Sequence, residues 1–313
     1  MIPRRSFPIG LALAFVAAWI SLPAAAGDFR IVAVSSRNEA PYRQALEGFR
    51  QQLAERGVAS MIETHSLETD STAAERAIQG ASGKNDTLFL TFGATATQAV
   101  SRQNAATPVV ACLVLDADNL RQTDNIAGVT LDFPLETQVA WIRKFLPEAR
   151  TVGVLYNPAG NRKKIGQAEI LLRKSGLTLY AREVARPQDL PDALEKMAKN
   201  QVDVLWSLPD PLIFSPQTAK PILLFSFRNR IPLIGLSDAW VKAGALYALE
   251  WDYEDIGKQC ASVAMKIIQG ARLAALPPAP PRKMPYSVNA RTASHMNLEI
   301  PVELLKQARQ VYE

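Results

Sequence analysis

Residues Leu233–Ala264 read LIGLSDAWVKAGALYALEWDYEDIGKQCASVA, and the fold turns on how they divide. Leu233–Gly235 is a short apolar run with strand character, and Ser237–Asp238 is a polar break. Ala245–Trp251 is a second apolar strand, and from Tyr253 apolar residues recur at helical spacing. Gly244 stands where the chain must turn into the second strand. Asp255 falls in the first turn of the helix, where the positive end of the dipole favours an anion. A strand end leading through Ser-Asp and a glycine into another strand is how a chain crosses between two α/β lobes. Ligands of open α/β folds sit beside such strand ends. The stretch is therefore expected to be a hinge that offers a carboxylate to a ligand.

Working outward, strands and helices alternate on both sides of a break. Strands are expected at Phe29–Val34, Met61–Thr64, Thr87–Phe92 and Val109–Leu115, with helices at Ala40–Arg56, Ser71–Gln79 and Thr95–Gln103 between them. Ile126–Leu131 interrupts this rhythm and reads as the first passage between lobes. The series then restarts with strands Thr151–Tyr156, Thr178–Val184 and Val204–Ser207 and helices Asn161–Ser175, Leu190–Lys199 and Pro216–Arg230. Pro221 predicts a kink or restart inside the last of these. The proline-rich stretch Leu276–Pro285 should run extended, Tyr286–Ala290 can form one more strand, and short helices at Arg291–Met296 and Pro301–Val311 finish the chain. Such alternation indicates parallel sheets with crossover helices, hence an α/β chain of two Rossmann-like lobes.

The bulk numbers agree with a bilobal globular protein. The chain has 313 residues, 48% hydrophobic and 21% charged, enough for about two cores. Its net charge is +5, but the basic residues are scattered rather than striped, so nucleic acid is not an expected partner. Residues 1–26 carry Arg4 and Arg5, an apolar run Ile9–Ile20 and the small residues Ala24–Ala26. This is the pattern of a secretory signal peptide, cleaved after Ala26 and too short to span a membrane. Export implies oxidising surroundings, in which Cys112 and Cys260 are permitted to pair. Whether they meet is left open by the sequence; buried free thiols are the default expectation.

No enzyme signature appears. The two histidines, His65 and His295, stand in unrelated contexts, so no metal-ligand spacing and no nucleophile–base arrangement is present. No cofactor is expected. What the sequence offers instead is a set of polar residues just past strand ends. Ser36 follows the first strand, and Gly93-Ala94-Thr95 joins another to a helix whose free N–H groups suit a carboxylate or phosphate. Thr95 is equally suited to capping that helix. Tyr156-Asn157 and Asp210 follow strands of the second series, where a turn role competes with a ligand role. Ser237-Asp238 follows Leu233–Gly235, and Trp240 is the aromatic residue placed to face a cleft.

Three segments carry a family resemblance: GVTLDFPLETQVAWIRKFLPEARTVGVLYNPAGN (Gly128–Asn161), Ile231–Gly270 around the opening stretch, and VNARTASHMNLEIPVELLKQA (Val288–Ala308). With GATAT at Gly93–Thr97 they run through nearly the whole chain after the leader. In them the chain resembles the periplasmic substrate-binding proteins of ABC transporters, of the type I fold, a family that includes tryptophan and other aromatic amino acid binders. The resemblance implies two lobes joined by three crossover strands, closing on a small polar ligand such as an amino acid. It implies a monomer that delivers this ligand to an inner-membrane permease from the periplasm; a sensor subunit for a membrane receptor or histidine kinase is the alternative. Residues 27–127 plus 237–283 are expected to form the N-terminal lobe, and residues 128–236 plus 284–313 the C-terminal lobe. The positions matching Thr95, Asn157, Asp210 and Ser237–Asp238 line the cleft in that family. The chain departs from the family at Asp210-Pro211, where Asp-Asn is frequent, and at Gly93-Ala94, where Gly-Thr is frequent. An aromatic ligand therefore does not follow from the resemblance.

Overall fold

The computed structural model describes residues 29–58, 60–103, 106–115, 120 and 124–313. The leader expected over residues 1–26 lies outside the described residues.

The first series folds as β1 (Phe29–Ser35), α1 (Ala40–Glu55), β2 (Ser60–Ser66), α2 (Ser71–Ala81), β3 (Thr87–Phe92), α3 (Ala94–Gln103), β4 (Val109–Val114) and β5 (Ile126–Thr130). These five strands make one parallel sheet in the order β2-β1-β3-β4-β5. Every residue of β3, β4 and β5 is buried, which is why these strands read as unbroken apolar runs rather than alternating ones. A bulge between Cys112 and Val114 puts buried Leu113 at φ 59° and ends with Leu115 exposed at the edge of the lobe.

The second series adds α4 (Leu135–Phe145), β6 (Thr151–Tyr156), α5 (Pro158–Lys174), β7 (Thr178–Glu183), α6 (Leu190–Lys199), β8 (Val204–Trp206), α7 (Pro216–Asn229), β9 (Leu233–Ile234), α8 (Asp238–Lys242) and β10 (Tyr247–Leu249). The chain then returns to the first lobe as α9 (Tyr253–Ile268) and ends as β11 (Tyr286–Asn289), α10 (Ala290–His295), α11 (Val302–Gln307) and β12 (Gln310–Tyr312). The second sheet runs β12-β11-β10-β9-β8-β6-β7. Strands β6 to β10 are parallel, whereas β11 lies antiparallel to β10. The reason is the route: the chain re-enters from the hinge, at the carboxyl edge of the sheet, and so runs the other way. The restart considered at Pro221 does not occur, since α7 runs continuously through it. Ser215 and Thr218 form a capping box at the start of α7, and buried Ile222 and Ser226 hold it past the proline.

Two expectations need correction. The sequence places Ser237–Trp251 in the N-terminal lobe, but α8 packs on β10 and β11, and β10 belongs to the second sheet. The crossing lies later, at Glu250–Asp252. Likewise Ile126–Thr130 is the edge strand of the first sheet, and the first crossing begins at Leu131. A turn through Ser-Asp and Gly between two strands looks the same whether the chain changes lobe or joins neighbouring strands of one sheet. The second correction concerns the cysteines: Cys112 and Cys260 are disulfide-bonded, with Cα atoms 6.6 Å apart. Helix α9 lies against β4 and β5 and crosses α1 at a pair of glycines. A β-carbon on Gly257 would lie 1.9 Å from the Ala45 carbonyl oxygen, and one on Gly48 would lie 2.0 Å from that of Glu254. Only glycine allows this approach, and the approach brings Cys260 onto β4.

Three chain segments therefore join the lobes side by side. Trp251 Nε1 donates to the Leu131 carbonyl at 2.9 Å, tying the second crossing to the first. The Trp251 ring stacks on Phe133 at 5.3 Å. The third crossing is held at one end by Ala279, hydrogen-bonded to Gly128 and Thr130, and at the other by the Glu250 N–H donating to Pro285. Between them, Arg282 grips buried Asp255 with two hydrogen bonds of 2.8 and 2.7 Å, and Lys283 adds an ion pair at 3.1 Å. Burial alone would raise the Asp255 carboxyl; the hydrogen bonds from Arg282 and Lys283 outweigh it and hold the group below the ordinary carboxylate range.

Candidate ligand-binding cleft

In each lobe the strand order reverses once, between β1 and β3 in the first sheet and between β6 and β8 in the second. Such switch points open a crevice at the carboxyl ends of the strands, where α/β folds take their ligands. Both crevices end near the crossings. On the second-lobe side a cavity of about 570 Å³ is lined by residues of the crossings, of α4 and α5, and of the ends of β8, β9 and β10. The first lobe adds Leu115, from beyond the β4 bulge.

The wall of this cavity combines buried aromatic residues with three charged ones, Asp132, Lys163 and Lys164, whose side chains are partly or largely exposed. Trp206 and Tyr247 are almost fully buried, and Trp251 with its stacked partner Phe133 closes the hinge side. Burial pushes the Tyr247 phenol up. Gln138 is held on both sides: its amide donates to the Phe133 carbonyl at 2.7 Å and its oxygen accepts from Trp206 Nε1 at 3.1 Å. At the mouth, Lys164 and Asp132 face each other at 3.5 Å with much of each side chain exposed. Ser207, just past β8, lines the cavity, is 3% exposed, and has a hydroxyl without a partner.

None of the residues expected from the sequence lines this cavity, although several stand one step from it. Asp210 is 6% exposed and accepts from the Asn157 N–H at 3.1 Å, Asn161 Nδ2 at 2.8 Å and the Leu212 N–H at 3.0 Å. It thereby fixes Asn161, which does reach the cavity. Asn157 caps α5 by accepting from the Ala159 N–H at 3.1 Å. Tyr156 is a core residue whose hydroxyl donates to Glu183 at 2.9 Å; burial first, then that carboxylate, raises its phenol. Ser237 precedes α8, and Trp240 packs edge-on against Phe214, away from the cleft. Asp238 points to the other side of the sheet end: it accepts from Ser287 Oγ at 2.7 Å and from the Tyr312 hydroxyl at 2.8 Å. Ser287 also contacts Glu250. The expected ligand carboxylate is thus an anchor for β11 and β12.

On the first-lobe side, the Ser36 hydroxyl accepts from the Ala96 N–H at 2.9 Å and caps α3 from a distance in sequence. Gly93, at φ +87°, has no room for a side chain: a β-carbon there would lie 2.7 Å from Ser36 Oγ. Ala94 and Thr95 are exposed at the start of α3, and no described residue accepts from their N–H groups. The structure therefore brings Ser36, Gly93, Ala94 and Thr95 together at one switch point and Tyr156, Asn157 and Asp210 at the other, and leaves Asp238 and Trp240 outside both.

Comparison with known proteins gives a consistent picture. The profile of the family described as ABC transporter substrate binding protein matches residues 32–312. A tyrosine-binding protein from Clostridioides difficile (strain R20291) is 25% identical over 174 residues, covering 54% of this chain and 48% of the relative. The match thus spans about half of that protein's length. Among solved structures, the ligand-free, open form of a Clostridium difficile substrate-binding protein with adhesive properties has a TM-score of 0.76 at 19% identity, over 91% of this chain and 99% of that one. An ABC domain in complex with L-Trp from Streptococcus pneumonia has a TM-score of 0.60 at 21% identity, again over 91% and 99%.

Proposed function

Because the chain belongs to the ABC transporter substrate-binding protein family and has the type I periplasmic binding fold, we propose that it captures an amino acid between its lobes and presents it to a membrane importer. The observation that carries the ligand class is the cavity wall. It offers aromatic faces from Trp206, Tyr247, Trp251 and Phe133, while its charged residues, Asp132, Lys163 and Lys164, are all partly or largely exposed, so it suits an apolar or aromatic side chain with a charged head group. Its volume of about 570 Å³ lies within the usual range for a small-molecule pocket. Tyrosine and L-Trp, bound by two of the similar proteins, are ligands of this kind.

The head group meets charge at the mouth. Lys164 and Asp132 form only a loose pair at 3.5 Å, and a zwitterion offers each a better partner, its carboxylate for Lys164 and its ammonium for Asp132. On closure about the three crossings, the N–H groups of Ala94 and Thr95 approach the same carboxylate from the first lobe. Asn157 and Asp210 act by holding Asn161 in the wall. The chain works in this reading as an exported periplasmic protein, without catalysis of its own.

A thermal-shift screen of the chain from Gly27 onward against the amino acids tests this, followed by calorimetry. A ligand at 100 times its dissociation constant adds about 2.7 kcal/mol to stability, a clear shift. Aromatic amino acids are expected to give the largest shifts. A shift from sugars or inorganic anions alone, with none from any amino acid, overturns the reading.

A further inference from the structure

Two buried side-chain polar atoms among the described residues have no hydrogen-bond partner, Arg182 Nε and Ser207 Oγ. Only Ser207 lines the cavity. The neighbouring polar groups are already engaged: Gln138 by Phe133 and Trp206, and the Asn161 amide by Asp210. A buried hydroxyl left unpaired is unfavourable, and native proteins seldom keep one without a use. Here its surroundings are Trp206 on one side in sequence and core Leu208 on the other, with Tyr247 and Ile234 in the same wall. The charged residues of the same lining, Asp132, Lys163 and Lys164, make no hydrogen bond to it.

We infer that Ser207 reads the far end of the ligand side chain: its hydroxyl accepts a hydrogen bond from an O–H or N–H carried on an otherwise apolar aromatic group. This deepens the reading of the cavity as an aromatic amino acid site and rests on it. A serine hydroxyl accepts as readily as it donates, so a phenol O–H and an indole N–H are both suitable. A plain phenyl ring fills the same space but leaves Ser207 unpaired. Sites built to hydrogen-bond a substrate group discriminate strongly against the analogue that lacks it.

The test is calorimetric titration of wild type and Ser207→Ala with tyrosine, tryptophan and phenylalanine, with thermal melting as a control for folding. Wild type is expected to bind tyrosine or tryptophan at least about tenfold more tightly than phenylalanine. Ser207→Ala should abolish that preference, keep or improve phenylalanine binding, and melt no lower than wild type, since the change removes only an unpaired oxygen. An unchanged preference in Ser207→Ala overturns the inference, as does an equal loss for all three ligands with lowered melting. If wild type binds amino acids but none of these three, the aromatic reading itself falls and the role of Ser207 falls with it. Wild-type binding with an unaltered preference in the variant sinks the role of Ser207 alone.

Discussion

Replacing both bridged cysteines by alanine measures how the two lobes depend on each other. The disulfide joins residues 148 apart in sequence, and the part of the second lobe from α4 to β10 lies inside that loop. If both lobes unfold together, the chain-entropy relation gives a loss of about 5 kcal/mol for a loop of this length. If the second lobe stays folded while the first unfolds, the loop is far shorter. The two ends of that part are adjacent, because Trp251 Nε1 is hydrogen-bonded to Leu131 at 2.9 Å. The disordered chain then runs only from Cys112 to Leu131 and from Trp251 to Cys260, about 30 residues, and the loss falls to roughly 3.5 kcal/mol. The tryptophans supply the assay. Trp141, Trp206, Trp240 and Trp251 all lie in the second lobe or at its border, so urea unfolding followed by fluorescence reports that lobe, while circular dichroism reports both. We expect the dichroism transition of Cys112→Ala/Cys260→Ala to shift down by roughly 1–3 M urea and the fluorescence transition to stay in place. Coincident transitions that move together by the larger amount would show one cooperative unit. A loss below about 1 kcal/mol in both would refute the reasoning, since no version of the loop model gives so little.

Two further outcomes follow from carboxylates held by hydrogen bonds, Asp255 and Asp238. Because the folded Asp255 carboxyl is held below its ordinary range, its contribution to stability is complete above the unfolded value of about 3.9 and is lost as the pH falls through the depressed folded value. Wild type should therefore weaken in acid below about pH 4, and Asp255→Asn should lack that step while being less stable at neutral pH by about 1–3 kcal/mol; urea midpoints across pH check both. The hydrogen bond to Asp238, aided by burial, raises the Tyr312 phenol. Asp238→Asn should bring its alkaline titration back toward the ordinary range, read by ultraviolet difference spectra, and leave ligand affinity nearly unchanged; a large loss of affinity with an unmoved titration would mean that Asp238 faces the ligand after all.

The lobes were legible because the two kinds of element in them obey different periods. Fully buried parallel strands such as Thr87–Phe92 and Val109–Val114 are continuous apolar runs, and the helices between them repeat every three to four residues. What escaped was everything set by chain returns. Residues 310–312 are too short and too polar to announce a strand, yet they pair with β11 and put Tyr312 on Asp238. The Cys112–Cys260 bridge depends on α9 coming back across a lobe boundary. The boundary itself depends on which sheet accepts Tyr247–Leu249, and a three-residue apolar strand fits either.

The strand ends that border the cavity were legible, but not the side chains that line it, and the reason is chemical. Short polar residues after a strand do two things with the same atoms: they bind ligands and they satisfy the first N–H groups of the next helix. Ser36, Asn157 and Asp210 each accept from backbone N–H groups at such a place. Once so engaged they shape the crevice without entering it. The cavity wall is instead made by residues whose sequence signature is that of the core: Trp206 and Tyr247 look like any buried strand aromatic, and Ser207 like the end of a strand. Only the packed structure separates a serine whose hydroxyl has found a partner from one whose hydroxyl has none. That distinction makes Ser207, rather than the carboxylates that stand out in the sequence, the first residue to change in asking what this cleft selects.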